Sequence, residues 1–154
     1  MITTKQDLNR TIYIQRDWLN KNIDWYTIDA TGFTIGRLAT IVADHLLGKN
    51  KAHYTDFRNT GWFVVVTNVA KLTWTGNKGI DKKYHTYSGR KGNVKTVDLK
   101  TMFAKDPLKV LWFAVRGMLS KNKLRDQRMK MLKMFLGDTT KYANLPLKTI
   151  TVNG

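Results

Sequence analysis

The chain has no cysteine, which removes disulfides, thiolate metal sites and a cysteine nucleophile in one step. Acid is scarce too. Eleven Asp and Glu stand against 27 Lys and Arg, a formal charge of +16, far more than solubility requires. No apolar run approaches the roughly 20 residues of a membrane span. The three histidines show no metal spacing, and His45 falls on an apolar helix face, where a satisfied core histidine is the usual reading. Ser88 and Ser120 are the only serines, neither in a nucleophile elbow, and no acidic pair stands in a setting for acid–base work. The first 24 residues carry Asp7, Asp17 and Asp24 and lack an apolar segment, so neither a secretory signal nor a removable transit peptide is predicted. There is no internal repeat and no low-complexity tract.

What is present fits one folded domain with a basic surface. With 154 residues, 42% of them apolar, and five Trp, the chain can bury a core of its own. So lopsided a charge points to a polyanion partner, most commonly nucleic acid. The organising stretch is Trp25 to Lys51. Tyr26 and Ile28 alternate with Thr27 and Asp29 as in a short strand, and Asp29-Ala30-Thr31-Gly32 supplies a turn. From Gly36 the period changes: Leu38, Ile41, Val42 and His45 line one helix face, Leu46 widens it and Gly48 caps the end. A strand feeding a helix opens a βαβ crossover, so an α/β fold with a parallel or mostly parallel sheet is expected.

Trp62-Phe63-Val64-Val65-Val66-Thr67 is the β-branched run expected at the sheet centre. Lys71 to Thr75 alternates as a further strand, and Lys82 to Tyr87 reads as extended. Asp98 to Lys105 is predicted helical, with Leu99, Met102 and Phe103 on one side. Asp106-Pro107 starts a fresh helix, with Asp as N-cap and Pro at the first helical position. Its buried stripe is expected to be Leu108, Leu111, Trp112, Val115 and Met118, with Trp112 against the sheet. A last helix, about Lys123 to Leu136, should bury Leu124, Met131, Leu132 and Phe135 and close at Gly137. The domain reading is an extension at 1–24, a single α/β domain at 25–137 and a tail at 138–154 without clear period.

The charge is unevenly placed. Residues 71–95 carry seven Lys or Arg against Asp81 alone, and 116–133 carry seven against Asp126 alone, whereas 25–48 are nearly neutral. That pattern fits a folded core presenting basic surfaces rather than a disordered basic tail. Gly76-Asn77-Lys78-Gly79 matches the GXXG of KH domains without their flanking helical pattern, and a turn with a basic tip is the better reading. Ser88-Gly89-Arg90-Lys91-Gly92 matches no P-loop consensus and opens no helix, but it has the charge and flexibility to grip an RNA backbone. With one acid among seven bases from Arg116 to Lys133, the last helix and the approach to it also read as a phosphate-neutralising surface.

Seven short motifs come in a recognisable order: W-Y-x-I-D-A at Trp25 to Ala30, G-R-L-A at Gly36 to Ala39, G-K-x-K at Gly48 to Lys51, Tyr54-Thr55, V-V-x-N at Val65 to Asn68, T-G-N-K at Thr75 to Lys78, and A-V-x-G-M-L at Ala114 to Leu119. Through them the chain resembles the large-subunit ribosomal protein thirteen family from roughly Trp25 to Pro146. The resemblance implies a three-layer α/β/α fold around a small, mostly parallel sheet with basic loops and extensions. It also implies binding to large-subunit ribosomal RNA beside neighbouring large-subunit ribosomal proteins, an early role in assembly and no catalytic activity. The departures are Ser120 for the usual Pro, Asn59-Thr60-Gly61-Trp62 for D-T-G-D, Tyr87-Ser88-Gly89 for H-T-G, Leu124-Arg125-Asp126 for L-G-R, and Thr140 and Tyr142 in place of a His-rich turn.

Charge placement and the resemblance together assign RNA contacts to Lys49, Lys51, Lys78, Arg90, Lys91, Lys121, Lys123, Arg125, Arg128, Lys130 and Lys133. No catalytic residue, metal, cofactor, small-molecule substrate or membrane attachment is expected. The competing reading is a basic α/β enzyme acting on a nucleic acid or nucleotide, which would need an acid, base or metal cluster. The run Leu124-Arg125-Asp126-Gln127-Arg128 looks more like mitochondrial members of the family than bacterial ones. A mitochondrial ribosome is therefore the expected location, with a plastid or a bacterial cytoplasm as alternatives.

Overall fold

The structure, a computed structural model, describes residues 24–52, 54–138, 141–142 and 144–150. The N-terminal extension up to residue 23, His53 and Thr140 lie outside the described residues. In chain order come β1 (Trp25–Asp29), α1 (Ile35–Leu47), β2 (Phe63–Thr67), a 3-10 turn (Val69–Lys71) and α2 (Lys78–Asp81). Then follow β3 (Lys83–Tyr87), β4 (Val94–Asp98), α3 (Leu99–Lys105), α4 (Pro107–Met118), α5 (Leu124–Met131), β5 (Leu132–Met134) and β6 (Leu147–Thr149).

Four strands form one parallel sheet in the order β5-β2-β1-β6. Its centre is where the valine run put it: Val64, Val65 and Val66 are fully buried, and Ile28 sits opposite Val66 in register. Helices around this sheet give the α/β arrangement expected of a three-layer fold. Leu38, Val42 and Leu46 of α1 meet Val110, Leu111 and Val115 of α4 in the main core. Trp25 and Phe63, paired in register, stack at 4.2 Å, and Tyr142 lies 5.1 Å from Trp25.

α1 ends as predicted on Gly48, whose left-handed backbone returns its amide to the Asp44 and His45 carbonyls. The chain then comes back over the end of this helix so closely that a Cβ on Gly61 would lie 1.9 Å from the Leu46 carbonyl oxygen. Gly61→Ala must push two backbones apart. It should lower the unfolding free energy by about 1–3 kcal/mol, read as a lower urea midpoint at unchanged slope.

Several elements differ from the sequence reading. Lys71 to Thr75 is not a sheet strand: Asn68 takes a left-handed conformation, its amide bonds to the Gly137 carbonyl and its side chain to Asp29 at 2.9 Å, and the chain turns away. The alternation there reflects Leu72 and Trp74 reaching the core from a loop, with only a single parallel bridge between Thr34 and Thr73. The last helix stops at Met131, because Leu132, Lys133 and Met134 pair with Val64, Val65 and Val66 as β5. Three residues of alternation were concealed inside a helical pattern, and the ladder bonds offered by β2 outweigh the weak amphipathicity of that segment.

Asp106 caps α4 as expected, its carboxylate accepting the Lys109 amide at 3.1 Å. Of the predicted buried stripe, Leu111 and Val115 are fully buried and Leu108 packs partly buried against the core, while Val110, outside that stripe, is fully buried as well. Trp112 is half-buried at the edge, against Phe113, with the Arg116 guanidinium 5.0 Å over its ring, and Met118 is 43% exposed.

Candidate nucleic-acid interface

β3 and β4 form a two-stranded antiparallel ribbon outside the main sheet, with Lys83 opposite Asp98 and Tyr87 opposite Val94. An isolated two-stranded ribbon is marginal in water, so its base is anchored. Tyr84 packs 5.8 Å from Phe113 on α4, burial pushing its hydroxyl pKa up, and the Leu99 amide bonds to the Lys82 carbonyl. Beyond Tyr84 both faces are open. Tyr87 is 60% and Val94 56% exposed, and Lys83, Lys95, Arg90 and Lys91 are all exposed.

The tip is preformed. Gly89 and Gly92 both have positive φ, at 91° and 79°, which side chains seldom tolerate. Tyr87 donates its hydroxyl to the Gly89 carbonyl at 3.0 Å, and the Asn93 side chain donates to the Ser88 hydroxyl at 2.8 Å. These bonds hold Arg90 and Lys91 at the end of an extended arm. An arm with cations and unpaired apolar groups on both faces is built to enter something rather than to cover its own core.

The remaining cations fall into three settings. Lys49, Lys78, Lys121, Lys123 and Lys130 are exposed. Lys51, Arg125 and Lys133 are half-buried, Lys133 within β5 rather than on a helix, and the Arg125 Nε lacks a partner. Arg128 is a correction to the predicted contact set. It is 1% exposed, with burial depressing its pKa against the opposing pull of Tyr54 and Asp56. Among the described residues its guanidinium donates from Nη2 to the Arg58 carbonyl at 3.4 Å, and at 1% exposure it presents almost no surface to a phosphate.

Lys51 lies with Nζ 4.9 Å over the Trp62 ring. Burial pushes its pKa down from 10.5 to about 8, with Asp24 raising it and Lys148 lowering it further. Between those two pH values the unfolded chain holds a proton that the folded chain has released, so this group makes stability rise with pH there. Lys51→Met should therefore compare best with the wild type near about pH 7 and lose ground toward about pH 9.5, as measured by urea unfolding at both. A difference that stays constant with pH would place Lys51 in solvent, with the same pKa folded and unfolded.

Sequence reasoning left Lys82, Lys83, Lys95 and Arg37 out of the contact set, although the first three lie in the charge-rich 71–95 segment. Lys78, Lys82 and Arg37 together line a groove of about 730 Å³ at the base of the ribbon. Among the described residues no group of His, Asp or Glu is placed to hold a metal ion, and no helix is long and apolar enough to cross a membrane. His45 is accounted for within the chain, its Nδ1 2.8 Å from the Ile41 carbonyl and its ring between Tyr26 and Trp62.

A family profile described as ribosomal protein L13 matches residues 23–141. The chain belongs to the ribosomal protein L13 family. The matched span holds β1 to β5 and the whole ribbon, and stops short of the edge strand β6. Among curated members, the large ribosomal subunit protein uL13 of Alkalilimnicola ehrlichii is 44% identical over 120 residues, covering 78% of this chain and 84% of that protein. The large ribosomal subunit protein uL13 of Leptothrix cholodnii is 44% identical over 129 residues, covering 84% and 91%.

Proposed function

We propose that this L13-family chain is a structural, non-enzymatic constituent of the large ribosomal subunit, binding ribosomal RNA beside other ribosomal proteins. The observation that carries the RNA surface is the ribbon, open on both faces and tipped with Arg90 and Lys91. Its tip enters between RNA backbones, while Lys49, Lys78, Lys121, Lys123 and Lys130 add phosphate contacts from the body of the domain. Lys51, Arg125 and Lys133 contribute from the margins, and Arg128 does not contribute directly. The RNA is that of the large subunit, held during assembly and translation.

The ribosome is of the bacterial type, in keeping with the two bacterial relatives. We further infer that it is that of a mitochondrion, supported by the Leu124-Arg125-Asp126-Gln127-Arg128 run, with a plastid or a bacterial cytoplasm as the alternatives. Fractionation of source cells followed by gradient sedimentation tests both levels. The chain should travel with the large subunit, in the mitochondrial fraction. Sedimentation with large subunits of another compartment overturns the location alone, and absence from large subunits overturns the function.

A further inference from the structure

The groove at the base of the ribbon has a character of its own. It lies between the first turn of α1, the last turns of α4 and the start of α2, and its volume of about 730 Å³ is that of a small-ligand site. Three cations, Arg37, Lys78 and Lys82, line it, and among the described residues no carboxylate does. Trp74, Tyr84 and Phe113 form an aromatic wall. Trp74 is fixed edge-on to Phe103 at 5.2 Å, and Lys82 sits 5.6 Å over the Tyr84 ring.

Two glycines in this lining are not explained by the chain itself. Gly36 and Gly117 lie in helices without positive φ, and a Cβ at either would meet nothing within 4 Å. Glycine weakens a helix relative to alanine and here relieves no clash. It does leave backbone open to close approach from the groove side. At Gly36 that backbone is the first turn of a 13-residue helix, where Thr34 makes no side-chain cap; the Ile35 amide is taken by the Thr73 carbonyl at 3.0 Å, and those of Gly36 and Arg37 have no helical partner.

We propose that the groove holds one nucleotide of the ribosomal RNA, drawn out of its stack. Its phosphate faces Arg37, Lys78, Lys82 and the opening turn of α1, and its base lies against the aromatic wall. Every base offers a flat π-face to such a wall. An acidic protein segment would satisfy the cations but would leave the aromatic wall and the two bare backbones without a role. The inference rests on the RNA-binding reading above and places one particular contact within it.

Ultraviolet irradiation of native large subunits, followed by mass spectrometry of the chain's peptides, tests it. A nucleotide adduct on Trp74, Tyr84 or Phe113 is expected. Adducts confined to the ribbon tip would overturn the groove site and leave RNA binding standing. A neighbouring protein's acidic segment chemically cross-linked into the groove would do the same. If the chain is absent from the subunit, both readings fall. Gly117→Leu supplies a second test, because it projects a side chain into the groove from a helix that should be no less stable for it. Affinity for a large-subunit RNA transcript should fall by about tenfold or more with an unchanged or higher melting temperature. Unchanged affinity would overturn the site. Adenosine monophosphate alone should bind weakly, and saturable binding of it in preference to the transcript would overturn the assignment to RNA.

Discussion

Replacing Arg90, Lys91 and Lys95 with glutamine should leave the protein folded while weakening its hold on large-subunit RNA and flattening the salt dependence of binding. All three are exposed on the ribbon, so each should move stability by about 0.5 kcal/mol or less. If each meets a phosphate, the log–log slope against salt should fall by about 2.1–2.7, since every lost contact leaves about 0.7–0.9 of a counterion unreleased. Net charge alone could produce a smaller, diffuse effect. A charge-matched variant separates the two. Lys100, Lys105 and Lys109 are equally exposed but lie on α3 and α4, and changing them to glutamine should shift the slope much less. Equal losses in the two variants would mean that the ribbon is not a privileged surface.

The second large effect is expected inside the protein. Arg128 is buried to 1% exposure, its Nε has no partner among the described residues, and the bond from Nη2 to the Arg58 carbonyl is long at 3.4 Å. Burial disfavours its charged form, and Tyr54 and Asp56 only partly offset this. Apolar replacements of buried ionic groups often stabilise by about 1–4 kcal/mol, and methionine fills the space of the arginine stem. Arg128→Met should therefore raise the unfolding free energy within that range and leave the RNA salt slope unchanged. A loss of stability would mean that the guanidinium is better satisfied than its bonds indicate. A slope lower by about 0.7–0.9 would return Arg128 to the RNA surface.

The elements legible in the sequence are those whose signals are local. β1, α1, β2 and the capped start of α4 each carry their own period, turn or cap. What was hidden depends on partners far along the chain. β5 occupies three residues, and its identity comes from Val64, Val65 and Val66. β6 pairs with β1 from beyond residue 146 and is too short to show a period. The ribbon was half visible, since Lys82 to Tyr87 read as extended, but Val94-Lys95-Thr96-Val97-Asp98 declares itself a strand only through pairing across the tip.

The candidate surface divides in the same way. Charge density in 71–95 marked a segment whose cations the structure exposes, because exposed cations need no partner to be seen in a sequence. Arg128 was misplaced because its burial involves the Arg58 carbonyl, 70 residues away. Lys133 was read on a helix face because the helix was drawn five residues too long. The groove was not visible at all, since it brings together Arg37, Trp74, Lys82 and Phe113 from four separate stretches.

The most direct test of the central claim is a density map of the large subunit isolated from the source cells. This chain is expected in it, with the β3–β4 ribbon surrounded by ribosomal RNA and the Arg90 and Lys91 side chains on phosphates. A map with the ribbon standing in solvent, or a large subunit without this chain, would contradict it.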